Sequence, residues 1–223
     1  MKNDLLNIIT PCCRPKNLLN IATAIKGKLD HPYRWIVVFD EKTLRDSSSV
    51  IFANYIKRRV KSLGVNVDFY SNKSSGKVGH GHRNFILDLL SKEQGWIYFN
   101  DDDNIISSDF ASLDFSQIDY DAIVLSQSNP NGTVRYNGEI ALLAAPENMK
   151  TYRIDTAQLI YNLPKIKTQR FEEDYYEADG MFAEKFYSTN KNVLFLKNKY
   201  LIKNKPILNG VNMVRTFIRI ITI

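Results

Sequence analysis

A chain of 223 residues, 44% hydrophobic and 24% charged, is long enough to bury a full core and ordinary enough in composition to exclude intrinsic disorder. No run approaches 18 uncharged apolar residues, which excludes a membrane-spanning helix, and residues 1–6 lack the apolar core of a signal peptide. The net charge of +6 is local: residues 185–223 hold eight Lys or Arg and no Asp or Glu, whereas residues 1–184 hold 22 basic against 24 acidic groups. A basic tail on a near-neutral body argues against a nucleic-acid partner, which calls for basic and aromatic residues interleaved along a groove. Cys12 and Cys13 are adjacent, a spacing unsuited to a structural disulfide or, alone, to zinc, so a reducing cytoplasmic location is expected.

In chain order, residues 7–11 read as a strand ending at Pro11. Leu18, Leu19, Ile21, Ala22 and Ile25 share one face of a helix over 18–29. Residues 34–39 form an almost continuous apolar run, the mark of a buried parallel strand, and Asp40 follows it directly. Val50, Ile51, Tyr55, Ile56 and Val60 predict a helix over 48–63, stopped by Gly64, and residues 65–70 alternate as a third strand. A polar loop over 72–81 leads into a helix at 82–90, and a fourth strand spans 96–100. This β-α-β-α-β-loop-α-β order predicts a parallel, doubly wound sheet.

Beyond residue 104 the pattern loosens. Strands are expected over 121–126 and 139–145 around a turn-rich segment at 128–138, followed by a short apolar element at 154–163, a helix at 180–187 and a strand at 193–196. Leu208, Val211, Val214, Phe217, Ile218 and Ile221 then recur at helical spacing, with Arg215 and Arg219 on another flank. Two accounts of this element stand: a helix capping the core, or a basic amphipathic anchor giving peripheral membrane contact. The division that follows is one domain over 1–205, with a nucleotide-binding half (1–104) and an acceptor half (105–205), and a basic C-terminal helix over 206–223.

The chemistry concentrates in Trp96-Ile97-Tyr98-Phe99-Asn100-Asp101-Asp102-Asp103-Asn104, an apolar strand running into three carboxylates. Three adjacent like charges need a cation or several donors, and a hard dication such as Mg²⁺ or Mn²⁺ takes one or two protein carboxylates together with water and phosphate. Consecutive parallel strands bring their C-terminal ends to one edge, so Thr10-Pro11-Cys12-Cys13-Arg14, Asp40 and the triplet should face one crevice. Asp40 suits either a uracil N3–H or a turn cap. Lys77 and Arg83, at a glycine-containing helix start, favour an anion, although the loop matches neither the Walker nor the dinucleotide pattern. His80 and His82 lack further ligands for zinc, and Ile105 and Ile106 break the spacing of a calcium loop.

Together these pieces resemble GT-A-fold glycosyltransferases. Gly79-His80-Gly81-His82-Arg83-Asn84 followed by the Tyr-Phe-Asn-Asp-Asp-Asp-Asn strand end is similar to glucuronyltransferase-type enzymes, with His82 where those carry glutamine. Ile154-Asp155-Thr156-Ala157-Gln158 and Ala178-Asp179-Gly180 are similar to segments of bacterial family 2-type transferases. The resemblance spans about residues 7–190. It implies an α/β fold with a mostly parallel, Rossmann-like sheet flanked by helices in a single domain. It further implies Mn²⁺ or Mg²⁺ at a DXD-type motif, a nucleotide-sugar donor of the UDP-sugar kind, and a glycan, glycolipid or glycoprotein acceptor, with inverting hexosyl transfer.

Carried over by the resemblance, Asp101 meets the ribose, Asp103 binds the metal together with Asp101, and Asp102 lies near sugar or metal. Thr10, Pro11, Arg14, Asp40, Lys77, His82 and Arg83 complete the donor side. The general base is open among Asp179, ranked first because it opens a helix, and Asp174 and Glu173, in an acidic segment that also includes Glu172. The competing functions are a nucleotidyltransferase acting on sugar phosphates and a non-enzymatic basic binding module built around the tail.

Overall fold

The computed structural model describes residues 4–44, 46–73 and 77–203; the helix expected at 206–223, and with it the membrane account, lies outside the described residues. The chain runs β1 (Leu6–Cys12), α1 (Leu18–Lys28), β2 (Tyr33–Asp40), α2 (Ser47–Ser62), β3 (Val67–Asn72), α3 (His80–Leu89) and β4 (Trp96–Phe99). It continues through β5 (Asn104–Ile105), α4 (Ser108–Ala111), β6 (Ala122–Ser128), β7 (Tyr136–Asn137), β8 (Ile140–Ala141), β9 (Leu159–Asn162), α5 (Ala178–Thr189) and β10 (Val193–Lys203). Among the described residues the main sheet has eight strands in the order β3-β2-β1-β4-β9-β6-β10-β5, and β7 and β8 form a separate hairpin.

The first half has the expected parallel arrangement. β1 lies between β2 and β4, with Ile9 opposite Ile36 on one side and Phe99 on the other. Alternating side chains in these strands feed two cores. Ile8, Trp35, Val37 and Tyr98 pack on one face with Leu18, Ile21 and Ile25 of α1 and Ile56 and Val60 of α2. Ile9, Ile36, Val38, Ile97 and Phe99 pack on the other with Ile86 and Leu87 of α3 and Phe182 and Phe186 of α5. Each such side chain contributes roughly 1.5–3 kcal/mol by leaving water, and burial on both faces explains why the strands read as apolar runs. The α2 helix, which opens with three serines, is started by Asp46: its Oδ1 accepts the Ser49 N–H at 2.7 Å in a capping box worth about 1 kcal/mol.

The second half departs from the pattern reading in three places. The short apolar element near 154–163 becomes β9, an interior strand antiparallel to both β4 and β6. The strand expected at 139–145 is reduced to Ile140–Ala141; beyond it the Leu142 carbonyl accepts the Gln127 N–H at 2.8 Å and the Ala144 N–H bonds to Ser126 Oγ at 3.0 Å, after which Pro146 ends the run. The last strand extends to Lys203, because a bulge between Leu196 and Tyr200 absorbs the polar stretch that reads as its end. Ser126 Oγ donates to the bulged Lys197 carbonyl at 2.7 Å. The short helix α4 carries no signal in the sequence pattern; it buries Phe110 against Tyr98 with ring centroids 4.5 Å apart. Among the described residues no helix is long and apolar enough to cross a membrane.

Candidate active site

The pairings set the site's position. β1, β2, β3 and β4 run parallel, and β9 is antiparallel to both β4 and β6, so β6 points the same way as β4. The C-terminal ends of β1, β2, β4 and β6, and the start of β9, therefore share one edge, the edge where open α/β sheets bind ligands. Asp101, Asp102 and Asp103 leave β4 there, and α5 begins close by with Asp179 in its first turn.

The three aspartates have different surroundings. Asp102 is 2% exposed, and its Oδ2 accepts the Cys13 N–H at 2.9 Å and the Arg14 N–H at 2.8 Å. Its Oδ1 accepts Arg14 Nε at 2.7 Å, and Arg14 Nη2 pairs with the same oxygen. The middle carboxylate is thus the anchor that ties the turn after β1 to the end of β4. Arg14, 37% exposed, also reaches Asp103 Oδ2 at 3.6 Å. Burial, reinforced by the Asp102 charge, pushes the Cys13 thiol up to about 11, so it stays protonated at neutral pH.

Asp101 belongs to a second cluster. Arg83, 1% exposed, donates from Nη2 to Asp101 Oδ1 at 2.5 Å, and its Nη1 lies 3.6 Å from Asp179 Oδ1. Burial lowers the pKa of this guanidinium, but the charges of Asp101, Asp179 and Asp155 outweigh that effect and raise it above its ordinary value. His80, one helical turn before Arg83, is buried; its Nδ1 lies 3.0 Å from Arg83 Nη1 and 3.4 Å from Asp179 Oδ1, and its ring stacks on Phe171. Burial holds His80 down at about 4, with Asp179 opposing and Arg83 assisting. It is therefore neutral at pH 7, and its unprotonated Nδ1 accepts from Arg83.

The remaining donor-side candidates divide between support and surface. Thr10 is fully buried, and its Oγ1 accepts the Trp35 indole N–H at 3.0 Å, so it supports β1 from inside the core. Pro11 receives the loop before α3: Gly79 has φ +81°, and a Cβ there would stand 2.9 Å from Pro11 Cβ, so glycine serves both the backbone and the close approach. Asp40 is engaged as a cap, with Oδ1 accepting the Lys42 N–H at 2.8 Å. His82 is buried near it, and burial lowers its pKa against the pull of Asp40. Lys77 is exposed, and its N–H donates to the Glu173 carbonyl at 2.8 Å.

On the acceptor side, Asp179 is the second residue of α5 and does not cap it; its carboxylate turns to His80 and Arg83. Glu173 is held from α3, where Asn84 Nδ2 donates to Glu173 Oε1 at 3.0 Å. Asn84 also exchanges bonds of 2.8 and 2.9 Å with the Phe171 main chain. Asp174 is exposed. The structure therefore brings Asp101, Arg83 and Asp179 together and leaves Asp174 outside.

Several residues of the site escape sequence reasoning. Arg135, from the turn-rich segment, bonds to Gln127 Oε1 and, at 2.9 Å, to Asp155 Oδ2; Gln127, one residue before the end of β6, is fully buried, and Asp155 caps the turn into β9. The Asp155 charge is felt by both Arg83 and Tyr98, which links this trio to the Arg83 cluster. Asp155 lies in the Ile154–Gln158 segment that the resemblance singles out, and His80 and Arg83 share one helix face, whereas Arg135 sits in no periodic pattern.

Asp101 and Asp103, 23% and 12% exposed, are the strand-end carboxylates that a dication bound jointly with a ligand could reach. Among the described residues no group of three or more His, Cys, Asp or Glu side chains is arranged to hold a metal by itself. One or two carboxylates next to a diphosphate suffice, because Mg²⁺-like ions keep water and phosphate in most positions.

No known family profile matches the sequence, and no curated protein sequence aligns with it. The likeness is structural. TarS 1–349 from S. aureus in complex with UDP-GlcNAc superposes with a TM-score of 0.66 at 19% identity, over 95% of this chain and 61% of that one. The mannosyltransferase PcManGT from Pyrobaculum calidifontis, in complex with GDP-Man and Mn²⁺, gives 0.64 at 14% identity, over 94% and 59%. The inositol-1-phosphate CTP transferase from T. maritima gives 0.59 at 14% identity and covers 94% of both chains. The fold is GT-A-like, a curled α/β sheet flanked by helices, and the chain spans about three-fifths of the TarS and PcManGT chains it matches.

Proposed function

We propose that the chain is a metal-dependent glycosyltransferase that moves a sugar from a nucleotide-sugar donor, of the UDP-sugar class, to an acceptor hydroxyl with inversion. One observation carries this reading: the strand-end aspartate Asp101 and the helix-start aspartate Asp179 are held by the same buried Arg83, 2.5 and 3.6 Å away. In this reading Asp101 serves the donor side and Asp179 the acceptor side, and the shared guanidinium, one nitrogen to each, supports it.

In this mechanism Asp179 is the general base. It takes the proton of the acceptor hydroxyl, the hydroxyl oxygen forms a bond to the anomeric carbon, and the bond from that carbon to the nucleoside diphosphate breaks with its electrons leaving on phosphate. Single displacement needs no enzyme nucleophile. The buried cation Arg83, 3.6 Å from Asp179 Oδ1, holds that carboxylate beside it, and neutral His80 in turn accepts from Arg83. Asp103, with Asp101, would hold Mn²⁺ or Mg²⁺, which when bound supplies positive charge to the departing diphosphate. Asp102 keeps the turn after β1 closed beneath the donor and is not itself a ligand.

Calorimetric titration of UDP with and without Mn²⁺ tests the donor side. Asp103→Ala is expected to lose the Mn²⁺-dependent part of the affinity, and equal Mn²⁺-dependent affinity in both proteins rejects the metal assignment. A nucleotidyltransferase remains the second reading, favoured by the end-to-end match to the T. maritima CTP transferase. Thr10-Pro11-Cys12-Cys13 lacks the glycines such enzymes usually carry after the first strand, which weighs against it. Thermal stabilisation by CTP and Mn²⁺, but not by UDP-sugars and Mn²⁺, decides for that alternative.

A further inference from the structure

Among the described residues, Tyr152 is the one non-glycine residue with a left-handed backbone, at φ +68°. Bulky side chains disfavour that region, and the ring recovers nothing by burial because it is 63% exposed. The turn is nevertheless fixed at three points. Glu184 Oε2 accepts the Thr151 N–H at 3.0 Å and the Thr151 hydroxyl at 2.7 Å. Asn137 Nδ2 donates to the Tyr152 carbonyl at 3.0 Å. Gly180 approaches so closely that a Cβ there would stand 2.8 Å from Thr151 Cα and 3.0 Å from Tyr152 N. Gly180 directly follows Asp179, so the main chain that carries this exposed ring is held against the same helical turn as the candidate base.

Three more exposed tyrosines lie on the segment that leads into α5 or on the one that holds this turn. Tyr176 is 71% exposed, and its main chain bonds to His80, which itself lies 3.4 Å from Asp179. Tyr175 beside it is exposed, as is Tyr136, the residue before Asn137. An open cavity of about 400 Å³ then runs along the outer side of α5, lined by Thr151, Met181, Phe182, Glu184 and Lys185. Thr151 is common to the cavity and the Tyr152 turn.

We propose that these rings and this cavity form a binding surface for an oligosaccharide acceptor, with Tyr152 and Tyr176 stacking on pyranose rings and Glu184 and Lys185 meeting hydroxyls along α5. A pyranose pairs an apolar C–H face with a polar rim, which matches a tyrosine ring ending in a hydroxyl. The cavity lining mixes Glu172 and Glu184 with Arg170 and Lys185, so carboxylate acceptors and cationic donors balance and suit a neutral, hydroxyl-rich occupant. The saccharide's role as acceptor rests on the transferase reading; its binding does not.

The test is an oligosaccharide array probed with the full chain, its Tyr152→Gly and Tyr176→Ala variants, and, in parallel, thermal unfolding of each with and without UDP and Mn²⁺. Glycine adopts positive φ freely, so Tyr152→Gly is expected to melt at or above the wild-type temperature while its saccharide signal falls about ten-fold or more, as for an interface hot spot. Tyr176→Ala is expected to show a similar loss of signal. Three results overturn the proposal: no saccharide retained by the wild type, unchanged array signals in both variants, or a lower melting temperature for Tyr152→Gly with binding intact, which makes the turn purely structural. A wild type that binds saccharide without any shift from UDP and Mn²⁺ upholds this surface and counts against the transferase reading.

Discussion

Two arginine–aspartate clusters flank the end of β4, and they are built in opposite senses. In the Arg14 cluster the acid is buried and the base exposed: Asp102 is 2% and Arg14 37% accessible. In the Arg83 cluster the base is buried, at 1%, while Asp101 and Asp179 remain 23% and 22% accessible. A buried carboxylate saturated by two main-chain N–H groups and a guanidinium has no capacity left for a ligand. A buried guanidinium that holds two accessible carboxylates leaves those carboxylates able to meet one. Adjacent aspartates of identical chemistry thereby differ in whether their oxygens are sealed inside the fold or left accessible, according to which member of each pair is buried.

The comparison breaks most sharply at Asp179. Asp179→Asn is expected to retain the fold and donor binding while lowering transfer by roughly 10²–10⁴. Normal transfer by this variant, with Glu173→Gln or Asp174→Asn inactive, moves the base into the preceding acidic segment. On the other cluster, Asp102→Ala is expected to act on stability: it leaves the Cys13 and Arg14 N–H groups without their acceptor, a loss of about 1–3 kcal/mol for each in urea unfolding, while the half-exposed Arg14 guanidinium returns to water. Wild-type stability in Asp102→Ala with donor binding lost would place Asp102 in the site and erase the distinction.

Acid titration sharpens the contrast from the Arg83 side. Burial holds His80 near 4, below its ordinary value of about 6.5, so the unfolded chain takes the proton first. The stability it confers is complete above about pH 6.5 and is lost progressively as pH falls towards 4, on the order of 3 kcal/mol in all. His31 and His82 are shifted in the same direction by burial and add to the slope. Melting temperatures measured from pH 7 to 4 should show the loss, and His80→Gln should flatten much of it. The smallest expected effect is at Asn84, which fastens the Phe171–Glu173 segment to α3. Asn84→Ala should lower stability by about 1–3 kcal/mol through unsatisfied main-chain groups and raise the acceptor KM more than the donor KM.

Sequence periodicity determined the parallel half, because a strand buried on both faces must read as an apolar run and the helices between such strands must carry one apolar stripe. The apolar strand running into Asp101-Asp102-Asp103 and the position of Asp179 at the start of a helix were legible as well. Only the tertiary structure decided the rest. β9 is too short and too evenly apolar to announce its direction, yet its antiparallel insertion aligns β6 with β4 and brings Gln127 to the ligand edge. Asp101, Asp102 and Asp103 are indistinguishable as a string; Cys13, Arg14 and Arg83, 18 to 89 positions away, separate their roles. Local spacing encodes which face a residue occupies, whereas the worth of a charge depends on burial and on partners that only chain folding brings within hydrogen-bond reach.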